Sequence, residues 1–467
     1  MVFSSILFLY YFLPLFLFIY IIAPKKLKNL VLLLTSLTFY AWGEIRFVIV
    51  MLVLSVVDFV CGRMIEKHLD NKKKMKCFMF IDVGINLSVL FFYKYSDFFI
   101  TNFNMITGLN MPLIGIALPI GVSFNTFQSI SYIIDVYRRK TTCEKSYYNY
   151  LTYTTLFPQI IAGPIVRYVT VENEIASRKL RPDDFTIGMK QFLLGLGKKV
   201  LIANNVGVLW NQISNGQIAN MSTTLYWIGI FAFALQIYFD FSGYSDMAIG
   251  LARIIGMRFD KNFDYPYISK SITEFWRRWH MTLGSWFRDY VYIPLGGNRK
   301  GWVLQIRNIL IVWALTGFWH GASWNYIIWG LYFAALLILE KFLILNFMKK
   351  VPVFFQHAYL IILVLISWVI FSLEDTKKML EYLKGMFGLL PVDAINSTAM
   401  YYLMGYFVIF AIACIACTPL VKKVYDKINV AFKYTGVVEI IVYVLILLTS
   451  TAYLVNSTYN PFLYFRF

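Results

Sequence analysis

The chain has 467 residues, of which 59% are hydrophobic, and its mean hydropathy is +0.63. Soluble domains contain about 45–50% apolar residues, so this composition excludes an ordinary soluble protein and indicates one bundle of membrane helices. The net charge of +18 falls mainly in short clusters between apolar runs. Such clusters are typical of cytoplasmic loops facing anionic headgroups, so we expect membrane lipid and no nucleic acid as a partner.

The first 140 residues predict five membrane crossings, over residues 6–23, 29–42, 45–62, 78–93 and 113–136. Basic residues cluster at 25–28, 67–76 and 138–140. Because lysine and arginine mark cytoplasmic loops, these clusters predict which end of each helix faces the cytoplasm.

The regular pattern ends between Tyr147 and Arg181. Residues 157–167 are apolar but too short to span, and they contain two prolines and a glycine. Irregular backbone at membrane depth is tolerated only where protein or a water-filled cavity surrounds it. This segment therefore predicts a re-entrant or interfacial element.

Two further crossings are predicted over 185–210 and 224–251, and the second carries Asp240 and Asp246. Carboxylates inside an apolar run are costly and face a bundle interior or a cavity. We interpret Asp240 either as a substrate-positioning residue or as half of a structural ion pair. Arg253, Arg258 and the arginines near His280 are its candidate partners.

The remaining chain predicts an interfacial region followed by five crossings. Residues 255–302 are too charged to span, and we place them at the cytoplasmic interface, dipping inward around His280. Apolar runs at 303–320, 324–345, 354–373, 401–420 and 437–455 bring the total to about 11–12 crossings. We expect a single integral-membrane domain with N-terminal spans 1–140, a catalytic core 141–345, and C-terminal spans with an aromatic tail 346–467.

Two of the four histidines lie in the most aromatic, glycine-marked surroundings: His280 follows Trp276-Arg277-Arg278-Trp279, and His320 lies in Gly317-Phe318-Trp319-His320-Gly321. An imidazole titrates near pH ~6.5 and can take a proton from a hydroxyl. His320 is therefore either a general base or a hydrogen-bonded structural histidine. For His280 the residues favour a structural or positioning role, beside arginines that suit an anionic ligand or lipid headgroups.

Glycines three residues before and one after His320 predict either close helix packing or space beside the imidazole for a slender ligand. The chain lacks the motifs G-x-x-x-x-G-K-[ST], H-E-x-x-H and G-x-S-x-G, so nothing favours a P-loop, a zinc protease or a serine triad. Cys414 and Cys417 lie in an apolar run without a partner motif, and we expect no metal there.

Seven stretches together resemble the membrane-bound O-acyltransferase family, and within it the alginate O-acetylation branch. They are Met1–Ser5, Phe39–Gly43, Phe157–Arg167, Tyr238–Gly250, Glu274–Gly297, Gly317–Trp324 and Asn460–Phe467. The resemblance covers nearly the whole chain. It implies an all-α polytopic membrane bundle with re-entrant or interfacial helices around a central tunnel.

The resemblance also implies chemistry. His320 matches the family's catalytic histidine, and His280 matches its second characteristic position. Acetyl-CoA is then the donor substrate, with no tightly bound cofactor, and the final acceptor is a hydroxyl on an envelope polysaccharide such as alginate, another exopolysaccharide or peptidoglycan. We expect a multi-pass protein in the cell membrane of a bacterium, working with an extracytoplasmic SGNH-type acetyltransferase.

The resemblance also implies roles for the other site residues. Trp276, Arg277 and Trp279 are expected to form the donor-side wall, Gly317, Trp319 and Trp324 to shape the site, and Asn325 to donate to an oxyanion. Tyr464, in the C-terminal aromatic tail, is the candidate first acyl acceptor. Its alternative interpretation is an interfacial aromatic anchor.

Three other functions stay open at this point. D-alanyl transfer to teichoic acid would use the same fold. A polysaccharide transporter, or a haem protein with the two histidines as axial ligands, would belong to a different class. A Soret band in the purified protein would indicate haem. A transporter would export polymer after His320→Ala, whereas the enzyme would then export polymer without acetyl groups.

Overall fold

The computed structural model describes residues 1–117, 119, 121–160, 163–431, 435–456 and 459–460, and these residues form helices and connections with no strand. In chain order the helices are α1 Leu13–Ile22, α2 Lys28–Ala41, α3 Ile45–Lys67, α4 Lys72–Thr107, α5 Val122–Tyr137, α6 Tyr147–Thr155, α7 Phe157–Ile160, α8 Tyr168–Ala176, α9 Pro182–Gly197, α10 Asn204–Ser214, α11 Thr223–Ile254, α12 Ile272–Arg278, α13 Met281–Phe287, α14 Trp302–His320, α15 Trp324–Leu339, α16 Leu345–Met348, α17 Val353–Ser372, α18 Thr376–Met386, α19 Ser397–Ala416, α20 Leu420–Ala431 and α21 Thr435–Asn456.

Nine helices of this described part are long and apolar enough to cross a membrane. They are α3, α4, α9 continued through α10, α11, α14, α15 continued through α16, α17, α19 and α21. The prediction of an all-α polytopic membrane protein is thereby confirmed. The other three predicted crossings are shorter helices, at Phe8–Ile22, α2 and α5. Since a span needs about 20 residues, an apolar run alone does not establish a crossing.

Contacts divide the chain into two compact units. The first contains residues 1–192 and 244–260, and the second contains residues 193–243 and 261–467. The residues between 255 and 302 form only short helices, α12 and α13 among them, and none of these is long enough to span. This agrees with the prediction that the charged region does not cross the membrane.

The irregular segment at 157–167 lies inside the first unit. Phe157–Ile160 makes a single buried turn of helix, and residues 163–166 are also buried. The backbone N–H of Phe157 donates to Ser36 Oγ at 3.1 Å. A Cβ on Gly121, whose φ is +82°, would lie 2.6 Å from the carbonyl oxygen of Ile160. Protein therefore surrounds the described part of this segment, as its prolines and glycine predict.

A buried carboxylate joins four helices of the first unit. Asp58 on α3 is fully buried and accepts hydrogen bonds from Asn86 Nδ2 at 2.8 Å, Ser129 Oγ at 2.5 Å and Tyr150 OH at 2.9 Å. These donors lie on α4, α5 and α6. Hydrogen bonds thus replace the water that the carboxylate loses on burial.

We expect Asp58→Ala to destabilise the first unit strongly. The change leaves up to three buried donors without their acceptor, at a cost of about 1–3 kcal/mol each. Thermal unfolding in detergent, followed by tryptophan fluorescence, measures the effect. Asp70→Asn, in the exposed connection between α3 and α4, is the matched control. An unchanged midpoint for Asp58→Ala would contradict this account.

Candidate active site

Two closely packed helices of the second unit position His320. It is the last residue of α14, and Gly321 leaves that helix in an extended conformation. A Cβ on Gly317 would lie 2.3 Å from the carbonyl oxygen of Tyr326, and one on Gly330 would lie 2.3 Å from that of Trp313. The α15 backbone therefore occupies the space beside Gly317, which matches the helix-packing interpretation of the G-x-x-x-G pattern.

Gly317→Ala should disturb the site through this helix contact. The obstructing atoms belong to backbone, so α14 and α15 would have to separate by about 1 Å to restore ordinary contact distances. His320, one turn later, would move with α14. We expect acyl transfer to fall at least about 10-fold and thermal stability to drop.

Gly405→Ala on α19 is the control for Gly317→Ala, since its Cβ would meet nothing within 4 Å. Alanine in an exposed helix interior is favoured over glycine by up to about 1 kcal/mol. The control should therefore match or exceed the wild type in stability. Equal activity and stability in the two variants would contradict the packing argument.

Aromatic rings surround the His320 imidazole, which is 7% exposed. The ring centroids of Trp319 and Trp329 both lie 4.9 Å from its own, and that of Phe371 lies at 5.4 Å. All three contacts are edge-to-face. This apolar shell limits water around the imidazole and strengthens any polar interaction made there.

His280 lies between α12 and α13 in an unusual backbone conformation, with φ 45° and ψ 54°. Its Nδ1 lies 3.1 Å from Asn262 Oδ1, which also accepts from the backbone N–H and the hydroxyl of Thr282. A backbone N–H can only donate, so that Asn262 atom is an acceptor and His280 Nδ1 carries a proton. Burial lowers the pKa of His280 to about 3. The imidazole is thus neutral at physiological pH, with Nε2 as its acceptor atom.

Trp319 brings the two histidines into one cluster of rings. Its centroid lies 6.3 Å from that of His280 and 4.9 Å from that of His320. Trp276 joins the same cluster through Trp329, at 5.6 Å. Trp279 packs against the rings of Phe263, Phe275 and Trp368, at 5.1, 5.5 and 5.1 Å. The structure therefore assembles the predicted tryptophans 276, 279 and 319 around the histidines.

Other predicted site residues lie differently. Arg277 is exposed, whereas Arg278 bonds to Glu274 and Asp264. Trp324, the first residue of α15, is 53% exposed. The Asn325 side-chain amide donates to the carbonyls of Ile370 and Phe371, at 3.2 and 3.0 Å. Its two N–H groups are thereby engaged by α17, so this arrangement does not direct them at an oxyanion.

Asp240 forms a buried ion pair with Lys199. The Lys199 Nζ lies 2.6 Å from Asp240 Oδ1, and each side chain is 2% exposed. This matches the structural interpretation of Asp240, but the proposed arginine partners were wrong. Arg253, in the first unit, bonds to Asp184 instead, at 3.0 Å. The signal for Lys199 is a lysine inside an apolar run, which requires a partner of opposite charge.

Glu340 is a site residue that the sequence interpretation missed. It is fully buried and accepts from the backbone N–H groups of Ile272 and Thr273, at 2.6 and 2.8 Å. The Thr273 hydroxyl donates to it as well, at 2.7 Å. Glu340 thus satisfies the first N–H groups of α12, the helix that carries Trp276. The sequence does indicate such a role, because an acid inside the apolar run 324–345 requires hydrogen-bond donors or a cation when it is buried.

The candidate acyl acceptor Tyr464 lies outside the described residues. Just before that tail, Tyr459 donates from its hydroxyl to the carbonyl of Gly207, at 3.1 Å. Asn460 Oδ1 accepts from Asn204 Nδ2 at 3.1 Å. Residues 459 and 460 therefore lie against the second unit's α10.

Comparison with known proteins places this site in a family. The family model for MBOAT, the membrane-bound O-acyltransferase family, matches residues 37–383. The probable alginate O-acetylase AlgI of Pseudomonas putida is 36% identical over 489 residues, covering 100% of each chain. The peptidoglycan O-acetyltransferase of Helicobacter pylori is 32% identical over 424 residues, covering 83% of this chain and 80% of that one.

A partial similarity extends to a third activity. The teichoic acid D-alanyltransferase of Bacillus subtilis is 32% identical over 237 residues, 48% of this chain and 59% of that protein. The family match includes both His280 and His320. The chain therefore belongs to the membrane-bound O-acyltransferase family, and it is a multi-pass membrane enzyme that transfers acyl groups to oxygen.

Proposed function

We propose that this protein transfers an acetyl group from cytoplasmic acetyl-CoA across the cell membrane of a bacterium toward hydroxyls of an envelope polysaccharide. The polymer is an exopolysaccharide such as alginate, or peptidoglycan. The observation that carries the proposal is His320, which is buried among aromatic rings and is joined to the neutral His280 through Trp319. Its setting is a chain similar along its full length to a probable alginate O-acetylase.

The share of the chain that each relative covers favours transfer of an acetyl group over transfer of a D-alanyl group. The two relatives named as an O-acetylase and an O-acetyltransferase align with 100% and 83% of this chain. The D-alanyltransferase aligns with 48%. Similarity over the whole chain, ends included, supports a shared acyl group better than similarity over half of it does.

The proposed reaction needs one base and a dry site. His320 accepts the proton of an acceptor hydroxyl while that oxygen attacks the acetyl carbonyl carbon. The tetrahedral intermediate then collapses, the carbon–sulfur bond breaks, and the thiolate leaves with the proton that His320 returns. Positioning of the two reactants alone can contribute about 7–11 kcal/mol. The surrounding rings limit water, which protects the thioester from hydrolysis.

His280 acts as a positioning residue in this proposal. Its Nδ1 proton is held by Asn262, and its ring lies against Phe241 and Trp319, at 4.7 and 6.3 Å. These contacts fix the orientation of the imidazole beside Trp319. Trp276 and Trp279, on the adjoining α12 and its end, form the wall on this side.

We further propose an extracytoplasmic SGNH-type acetyltransferase as the partner. In the proposed reaction this protein delivers the acetyl group at the outer face of the membrane. The polymer that receives it lies outside the membrane. A separate soluble enzyme would complete the transfer to sugar hydroxyls. Tyr464 remains the candidate carrier between the two, and Tyr464→Phe should stop polymer acetylation if it carries the acyl group.

The test uses inside-out membrane vesicles carrying the full chain and supplied with acetyl-CoA labelled in the acetyl group. We expect alkali-labile label in polysaccharide to depend on this protein and on His320. Vesicles with His320→Ala should export polymer without acetyl groups. Label from D-alanine, but not from acetyl-CoA, would replace the proposal by D-alanyl transfer. Lost export in His320→Ala, or a Soret band in the purified protein, would indicate the transporter or the haem protein.

A further inference from the structure

A cleft in the first unit carries an excess of positive charge. Its volume is about 360 Å³, and it lies among the residues after α8, the start of α9 and the end of α11. The charged side chains that line it are Lys179, Arg181, Arg253, Arg258, Glu174 and Asp184. Every one of these residues belongs to the first unit, whereas His280 and His320 belong to the second.

The two carboxylates of the cleft do not balance its four cations. Asp184 Oδ1 lies 3.0 Å from Arg253 Nε and 3.9 Å from Arg258. Lys179 and Arg181 are exposed, and neither forms a salt bridge with another described residue. An anion entering the cleft would therefore meet two cations that are not already neutralised by protein.

Arg178 adds a half-buried cation next to this cleft. It stands between two lining residues, Ser177 and Lys179, and its Cβ lies 3.7 Å from the position that a Cβ on Gly256 would take. Burial lowers the pKa of the Arg178 guanidinium, and its NH1 has no hydrogen-bond partner among the described residues. The guanidinium interacts electrostatically with Glu174, so it offsets part of the negative charge that this carboxylate brings to the cleft.

We propose that this cleft is a binding site for a phosphate-bearing anion. Its volume lies in the usual range for small-molecule sites, about 300–1,000 Å³, and arginine forks match phosphate oxygens in pairs. Two sources share this chemistry: the nucleotide phosphates of a coenzyme A thioester, or the headgroup of an anionic lipid. The nucleotide source rests on the proposed acetyl-CoA donor, whereas the phosphate site itself does not.

The test measures binding to the full chain in nanodiscs of neutral phosphatidylcholine. Adenosine 3′,5′-bisphosphate, titrated by calorimetry, represents the nucleotide end of the donor. The double variant Lys179→Gln/Arg181→Gln should bind it at least about 10-fold more weakly, because two charged donors are lost. Lys73→Gln, an exposed lysine on α4 of the same unit, should bind like the wild type. Arg181→Lys, which keeps the positive charge, should bind the bisphosphate more tightly than the double variant and more weakly than the wild type.

A second arm separates the two sources. In nanodiscs that contain phosphatidylglycerol, native mass spectrometry counts the lipids retained by the wild type and by the double variant. If the wild type binds the bisphosphate and the double variant does not, the site binds the nucleotide phosphates. If the wild type does not bind the bisphosphate but retains phosphatidylglycerol that the double variant loses, the site binds the lipid headgroup. If the double variant matches Lys73→Gln in both arms, the site does not exist. The acetyl-transfer test on His320 would be unaffected by that result.

Discussion

His320→Ala should reduce acetyl transfer by about 10²–10⁴-fold, the range that a positioned general base contributes. His280→Ala should weaken transfer to a smaller degree, since His280 orients rather than exchanges the proton. Initial rates in the labelled vesicles measure both variants, with immunoblots confirming equal protein. His68→Gln is the control, because His68 caps the end of α3 and bonds to the Met64 carbonyl. Equal and complete loss in both variants would mean that the two histidines share one catalytic role.

The pH profile separates the histidines further. With a pKa of about 3, His280 stays neutral across the working range, so it should contribute no inflection there. His280→Asn should therefore lower the rate without changing the shape of the profile between pH 5 and 8.

The lowered pKa of His280 also makes the stability of the protein depend on pH. A histidine in the unfolded chain titrates near pH ~6.5, so below that pH protonation favours the unfolded chain. The free energy of unfolding should therefore decrease as the pH falls from about 6.5 toward 3.

Glu340→Ala should produce the second large effect, although Glu340 is not proposed to touch substrate. Two backbone N–H groups of α12 and the Thr273 hydroxyl lose their acceptor, at about 1–3 kcal/mol for each buried donor. The start of α12 should loosen, and Trp276 with it. We expect a lower midpoint of thermal unfolding and a loss of transfer of at least about 10-fold.

Two further variants test the cause of that loss. Glu340→Gln keeps one oxygen acceptor and should be intermediate between the wild type and Glu340→Ala. Glu374→Ala removes an exposed acid in the connection after α17 and should behave like the wild type. If Glu340→Ala retained both its unfolding midpoint and its rate, the carboxylate would not be what holds α12 in place.

Much of the site could be predicted from sequence because its signals are local. The histidines stand out by their scarcity and by the tryptophans and glycines beside them. The prolines and glycine at 157–167 forbid a regular span, and the structure buries that segment. The charges within 255–302 likewise forbid a crossing. Each of these inferences depends only on neighbouring residues and on the cost of burying polar groups.

Partners could not be predicted, because they depend on which helices pack together. An acid inside an apolar run predicts a cationic partner for Asp240. Only the packing of the second unit shows that this partner is Lys199 and not one of the arginines. The pattern around Gly317 allowed either packing or a ligand space until the Tyr326 carbonyl was located. Asn325 appeared free to donate, yet α17 takes both of its N–H groups.

Sequence alone determined that this is an all-α membrane protein with two histidines in aromatic surroundings, since hydropathy and residue scarcity are properties of the chain itself. Tertiary structure decided how many apolar runs form helices long enough to span, because α5 is apolar enough to resemble a crossing but is a short helix buried within the protein. It also decided that Trp319 joins the two histidines and that Glu340 holds the start of α12. Those relations join residues that are distant in the chain, and only packing brings them into contact.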